Sequence, residues 1–122
     1  MSLQPIHLRN VPLFAAVPLS AGIVSSPPQN VEDVISYCVQ YVWSVGSGIS
    51  GSSYLEASND YDPVSNPIGT WTLIQQSLLN ITGATGNNMI NVEKPAYSWV
   101  RLSFNISGGT ATLNSKYNAK SQ

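Results

Sequence analysis

Two stretches of the chain alternate between apolar and polar positions, and both predict β-strands. In residues 34–45 one face carries Ile35, Tyr37, Val39, Tyr41, Trp43 and Val45. In residues 97–106 one face carries Val100, Leu102, Phe104 and Ile106, and the other carries Tyr97, Trp99, Arg101, Ser103 and Asn105. A period of two in segments rich in β-branched and aromatic residues is typical of half-buried strands.

The remaining pattern predicts further short strands and no helix. Strands are expected at residues 54–58, 71–75, 89–92 and 110–117. The run "GSGISGSS" (46–53) predicts a loop, and "SGG" (107–109) predicts a tight hairpin. About six to eight short strands at this spacing favour an all-β fold, an antiparallel β-sandwich or jelly roll.

The N-terminal segment is apolar but interrupted by prolines. "VPLFAAVPLSAGIV" (11–24) contains Pro12 and Pro18, each of which removes a backbone donor, so an extended arm with at most a short strand is expected. We predict an arm and linker over residues 1–30 and a β-sandwich domain over 31–122. The arm lies on its own domain or reaches a neighbouring subunit, and its predicted oligomer contacts are Leu13, Phe14 and Val17. The segment has no basic leader and is too short to span a membrane.

Composition narrows the function classes. The 122 residues suit one domain, and Asp, Glu, Lys and Arg make up only 9% of them, against roughly 25% in ordinary soluble domains. With a net charge of −1 the chain has no basic patch to neutralise phosphates, so nucleic-acid binding is not expected. A sparsely charged surface rich in Ser, Thr and Asn suits a protein that packs against other subunits or faces sugars.

One acidic cluster is the main candidate for metal chemistry. It comprises Glu56, Asn59, Asp60 and Asp62, within "SYLEASNDYDPVSNPIGTWTLI" (53–74). Calcium needs about six to eight oxygen ligands, and the spacing does not fit an EF-hand loop. Asn and Asp also form turns by bonding their own backbone, and we favour that role. Asp60 and Asp62 therefore stay weak metal candidates.

The chain offers little for catalysis. Cys38 and His7 are the single cysteine and the single histidine, too few for a structural zinc site. Cys38 alternates with apolar neighbours, which indicates an ordinary packed thiol. A serine triad would need His7, which lies in the arm. We therefore expect no catalytic residue, no cofactor and no enzymatic activity.

A second candidate site is aromatic. If Val100, Leu102 and Phe104 face the core, then Tyr97, Trp99 and Arg101 share the opposite face. Exposed, these three would form a protein-contact patch or a platform for a sugar ring. The alternative is a sheet buried on both faces.

Two stretches resemble a known group of proteins. "YLEASNDYDPVSNPIGTWTLI" (54–74) is similar to the strand–SND–loop–W–strand signature of small bacteriophage structural proteins, and "AYSWVRLSFNISGGTATLNSKYNAKS" (96–121) is similar to their C-terminal hairpin. Discoidin-type carbohydrate-binding modules have a similar SND…W stretch. Here Pro63 and Pro67 lengthen the loop. The resemblance implies a β-sandwich virion component and carries over no catalytic residue.

The sequence hypothesis is therefore a non-enzymatic phage virion protein. A capsid-decoration role is the first expectation, with a homo-oligomer, dimer or trimer, that packs on virion proteins such as the major capsid protein. The expected location is the virion, assembled in the host cytoplasm, with no membrane contact. The alternative is a tail or baseplate module that binds a host glycan or receptor.

Overall fold

The computed structural model describes residues 7–121, and it confirms the all-β prediction. The strands are β1 (His7–Leu19), β2 (Gly22–Ser25), β3 (Gln29–Asn30), β4 (Val34–Ser58), β5 (Thr72–Leu73), β6 (Leu79–Gly83), β7 (Gly86–Glu93) and β8 (Trp99–Ser121). A single 3₁₀ turn, Gln75–Ser77, is the one helical element within the described residues. No helix among residues 7–121 has the length and apolarity needed to cross a membrane.

Two long strands form the centre of the sheet. β4 and β8 pair antiparallel along almost their whole length, from Val34 opposite Ser121 to Ser58 opposite Trp99. β1, β2 and β3 follow one another along the outer side of β8, and β7, β6 and β5 do the same along β4. The result is one antiparallel sheet, four strands wide.

The two glycine-rich runs are not turns, so the predicted loop at 46–53 and hairpin at 107–109 are wrong. Both lie inside the long strands and carry bulges, one between Ser44 and Gly48 and one beside Gly51. A Cβ on Gly46 would lie 2.0 Å from the Thr110 carbonyl oxygen. At Gly109, where φ is +84°, a Cβ would lie 1.7 Å from the Gly48 oxygen. Glycine is needed here because the two backbones approach closely.

At the bulges β8 also changes which of its alternate positions face the core. Along β8 the buried apolar positions are even before the bulge and odd after it: Val100, Leu102, Phe104, Ile106, then Ala111, Leu113, Tyr117 and Ala119. The predicted apolar face of residues 97–106 is therefore confirmed, although Ser103 on the opposite face is buried as well. In β4 the predicted face holds from Tyr37 to Trp43 but not at Ile35 and Val45, which are 37% and 83% exposed. Val45 has a φ of +54° and begins the bulge, so its side chain leaves the core face.

The core forms where the two halves of the sheet meet. Phe104, before the bulge in β8, packs edge-on against Tyr41 of β4 at 5.0 Å and against Phe14 of β1 at 5.8 Å between ring centroids. Both partners pair with Ser115, which lies after the bulge. The bent sheet therefore buries aromatic side chains between its own two halves.

The N-terminal segment lies on its own domain. From residue 7 onward it is extended, as its prolines indicated, but it is an edge of the sheet and not a free arm. Leu13 and Phe14 are buried in the core of the same chain, and Val17 is half-buried against it. Residues 1–6 lie outside the described residues. The strand predicted at 71–75 is shorter in the structure, where only Thr72–Leu73 pairs. The strand predicted at 89–92 is part of the longer β7, and β6 was not predicted.

Candidate functional site

The loop between β4 and β5 is built by the two aspartates that first suggested metal chemistry. Asp62 Oδ1 accepts the backbone N–H groups of Val64 at 2.8 Å and Ser65 at 2.9 Å. Two backbone hydrogen bonds of 3.0 Å join Asp62 to Asn66. Asp62 is thus an Asx turn-former. The donated N–H bonds hold the pKa of its carboxyl below its usual value.

Asp60 closes the neck of the same loop. Its Oδ1 accepts the Thr70 N–H at 2.7 Å and the Ser58 hydroxyl at 2.9 Å. The Thr70 backbone bond, helped by the Thr70 and Ser58 hydroxyls, lowers the pKa of Asp60. Within residues 7–121 no group of three or more His, Cys, Asp or Glu side chains comes together in a way that could hold a metal ion. The hydrogen bonds of Asp60 and Asp62 build and close this loop.

The loop folds back onto the face of β8 that carries Trp99 and Arg101. The Arg101 guanidinium carbon lies 4.4 Å from the Trp71 ring centroid, a cation–π contact. The Tyr61 ring lies 5.3 Å from the Trp71 ring and 4.8 Å from the Trp99 ring. These four residues form the aromatic cluster. Trp99 and Arg101 both belong to this cluster, but both are half-buried and already engaged within the chain.

A polar network lies beside the cluster. Arg101 Nε donates to Glu56 Oε1 at 2.9 Å, and Ser103 Oγ donates to the same oxygen at 2.7 Å. Ser25 of β2 joins Ser103 at 2.7 Å. The network ties three strands together. Glu56 and Arg101 are directly opposite in the register of β4 and β8, which local sequence does not reveal.

Tyr97 does not belong to the aromatic cluster that contains Trp99 and Arg101. It lines a pocket of ≈ 420 Å³ at the end of β4. We call this the Tyr97 pocket; its other lining residues are Ala57, Ser58, Asn59, Asp60, Thr70 and Thr72. The Tyr97 hydroxyl is bonded to the Tyr37 hydroxyl at 2.5 Å. Asn59 and Asp60 were noted in the sequence as acidic-cluster members, but nothing local indicated that they would face Tyr97.

The buried tyrosines offer no acid–base chemistry near neutral pH. Burial raises the pKa of Tyr37 and of Tyr97, and it raises that of Tyr117 to about 12. All three phenols therefore stay protonated near neutral pH. Tyr37 and Tyr97 bond each other, whereas the buried Tyr117 hydroxyl has no hydrogen-bond partner within residues 7–121 and its side chain contributes packing.

Cys38 lines a second pocket of ≈ 440 Å³ near one end of the sheet. The thiol is half-buried, and burial raises its pKa. A raised pKa is the opposite of what an activated nucleophile needs. The side chain of His7, its one conceivable partner in the sequence, lies outside the described side chains.

The fold has a solved counterpart. The crystal structure of the SPBc2 prophage-derived protein YomS superposes with a TM-score of 0.51 at 11% sequence identity, over 96% of this chain and 97% of that one. At this identity the likeness establishes a shared all-β fold. No protein-family model matches the chain, and no curated protein matches it by sequence. Neither the small phage structural proteins nor the discoidin-type modules are therefore confirmed as its family.

Proposed function

We propose that this chain is a non-enzymatic structural protein of a bacteriophage or prophage. The observation that carries the proposal is the end-to-end likeness of its fold to that of a prophage-derived protein. The resemblance of residues 54–74 and 96–121 to small phage structural proteins supports the same assignment. In this proposal the bent sheet is a β-sandwich of the jelly-roll kind, and the location is the virion.

Capsid decoration is the role that we propose within the virion. The chain would pack as a dimer or trimer on other virion proteins, such as the major capsid protein. Few ions would need to lose their hydration on packing, because charged residues make up only 9% of the sequence. Interface cores are likewise poor in charged residues.

We further propose that copies of the chain pair through β7. Its eight residues pair with β4 without a register shift, from Trp43 opposite Gly86 to Ser36 opposite Glu93. Within residues 7–121 no strand pairs with the outer side of β7. Such a regular edge, with no proline and one charge at its end, is suited to adding another strand. In antiparallel self-pairing the two Glu93 carboxylates would lie at opposite ends of the interface, so they would not repel each other.

The proposal is tested on particles of the phage that encodes the chain. Purified virions would be banded by density, digested and quantified by mass spectrometry. The expected result is that the chain co-purifies with the particles at a fixed ratio to the major capsid protein. Recovery of the chain from the lysate, with none on the particles, would contradict a virion role.

A tail or baseplate carbohydrate-binding module is the second candidate. Trp99 and Arg101 do not support it, because both are engaged in the aromatic cluster. The Tyr97 pocket does, since it combines an aromatic ring with polar side chains at the surface.

A further inference from the structure

We propose that the Tyr97 pocket binds one residue of a neutral saccharide, through the carboxylate of Asp60, the amide N–H₂ of Asn59 and the ring of Tyr97. This inference rests on the second candidate function and names its ligand class and its site. The pocket volume of ≈ 420 Å³ lies within the range of roughly 300–1,000 Å³ that small-molecule sites occupy.

Asp60 supplies a fixed and charged acceptor. The Ser58 hydroxyl and the Thr70 N–H both donate to Oδ1, and the Thr70 hydroxyl adds a further bond to the carboxylate. A carboxylate has about four acceptor sites, so these three donors leave acceptor capacity for a ligand hydroxyl. The carboxylate is held in place before the ligand arrives, which reduces the ordering cost of binding.

Asn59 supplies the complementary donor. Its Oδ1 accepts the Ser98 N–H at 3.0 Å, so the part of the side chain that remains for a ligand is the amide N–H₂. The same bond ties the loop to the residue that follows Tyr97. Asn59 and Asp60 are adjacent in sequence and line the same pocket, so one sugar can meet an acceptor and a donor together.

Tyr97 supplies the apolar surface. Its hydroxyl is bonded to Tyr37, so the ring is fixed and its contribution to the pocket is the ring itself. The face of an aromatic ring is electron-rich, and the C–H groups of a sugar ring pack against such a face. The hydroxyl of Thr72, which also lines the pocket, can donate or accept.

The charge of the pocket selects against other ligands. Among the described residues, Asp60 is the one charged residue that lines it, and no Lys, Arg or His of that part of the chain does. Phosphates, nucleotides and acidic sugars would meet an uncompensated carboxylate. The nearby Arg101 does not offset that charge for a ligand, because it is paired with Glu56. A neutral polyhydroxylated ring fits this arrangement of groups best.

The test uses the full chain with glucose, galactose, mannose, N-acetylglucosamine and N-acetylgalactosamine as probes, and glucuronic acid as the charged comparator. Saturation-transfer NMR detects weak binding, and amide shift titration locates it. We expect at least one neutral sugar to bind with shifts centred on Asn59, Asp60 and Tyr97, and glucuronic acid to bind more weakly.

The key variant is Asp60→Asn. An asparagine can keep the Oδ1 bonds that close the loop while replacing Oδ2 with a donor. We expect the affinity for the sugar to fall roughly tenfold or more, because the loss of one hydrogen bond to a charged acceptor has an effect of that size. The matched control is Asp62→Asn, a turn-former of the same loop that does not line the pocket. It should bind the sugar like the wild type.

The possible results distinguish a wrong binding pocket from a wrong carbohydrate-binding function. If a sugar binds and Asp60→Asn leaves its affinity unchanged, the assigned pocket is wrong while a carbohydrate-binding role stands. If none of the neutral sugars binds, both the pocket and the second candidate function are overturned. Neither outcome bears on the virion role, which the particle composition tests.

Discussion

The two edges of the sheet differ in how regularly they pair. The first edge, formed by β1, β2 and β3, is irregular: β1 contains Pro12 and Pro18 and shifts register against β8 three times. The second edge, formed by β5, β6 and β7, includes eight consecutive residue pairs in β7 without a shift. Prolines and bulges are devices that keep an edge from pairing with another chain. They are concentrated in the first edge.

The first edge is also more deeply tied to its own chain. Where the ladder of β1 is interrupted, side chains of β8 accept its backbone N–H groups: Ser115 from Phe14 at 3.1 Å and Asn114 from Ala16 at 2.9 Å. Ala16 has a φ of +50°, which marks a bulge. The first edge places Leu13, Phe14 and Leu19 in the buried core, whereas the second places Ile81 there. The first edge is thus the more deeply built into the core, and the regular strand β7 of the second edge is the one suited to pairing with another chain.

The largest expected effect comes from truncating one core residue of each edge. Phe14 is 5% exposed and packs on Phe104, whereas Ile90 of β7 is only half-buried. Phe14→Ala should lower the free energy of unfolding by about 3–5 kcal/mol. Ile90→Ala should lower it by about 2 kcal/mol or less, because less of its surface leaves water on folding. Urea unfolding monitored by tryptophan fluorescence measures both. Equal losses would mean that the two edges contribute alike to the core.

A smaller effect is expected at the side chains that replace ladder bonds. Ser115→Ala would leave the buried N–H of Phe14 without its acceptor, which should lower the free energy of unfolding by about 1–3 kcal/mol. Asn114→Ala removes the corresponding bond to Ala16 at an exposed site, where water can replace it, so a change below about 1 kcal/mol is expected. Thermal unfolding compares the pair. A larger loss at Asn114 would contradict the account of this edge.

The smallest expected effect is on the rate at which the Cys38 thiol is alkylated. Cys38 lies opposite Asn91 of β7, and burial raises the pKa of its thiol above the usual value. The thiolate fraction at neutral pH is therefore lower than in a free cysteine, and it rises only as the pH passes through the raised pKa. Alkylation by iodoacetamide at pH 7 should be slower than that of free cysteine and should accelerate at a higher pH. A rate at pH 7 that equals or exceeds that of free cysteine would show that the thiol is not shielded in this way.

The features that could be predicted from the sequence are those that depend on the periodicity of neighbouring residues. The faces of Tyr37–Trp43 and Val100–Ile106 follow from alternation alone, as does the all-β class. The glycines at 46 and 109 were misinterpreted because glycine usually marks a turn, whereas here it admits a neighbouring strand. That strand is over 60 residues away in sequence, and short patterns carry no information about it.

The same distinction between local and long-range structure applies to the candidate sites. Asp62 was correctly favoured as a turn-former, because an Asx turn is a local structure. Asp60 instead closes the loop through Thr70, ten residues further along the chain. The contacts of Trp99 with Tyr61 and of Arg101 with Glu56 and Trp71 depend on register and on how the loop folds back. Tyr97 was singled out with them, yet its pocket is formed with Asn59 and Asp60. The strand predicted from Tyr97 begins only at Trp99, so Tyr97 lies in the bend before β8 and not on the face that Trp99 and Arg101 share.

The proposed assembly of copies through the second edge is tested by native mass spectrometry of the wild type and two variants. Met89, 52% exposed in the middle of β7, would lie near the two-fold axis of a self-paired edge, so Met89→Lys would place two ammonium groups close together. Ile23→Lys, at a position 69% exposed on the first edge, is the matched control. We expect the wild type and Ile23→Lys to be oligomers, and Met89→Lys to be a folded monomer of about 13.1 kDa. A monomeric wild type, or a Met89→Lys variant that keeps the oligomer of the wild type, would contradict the claim.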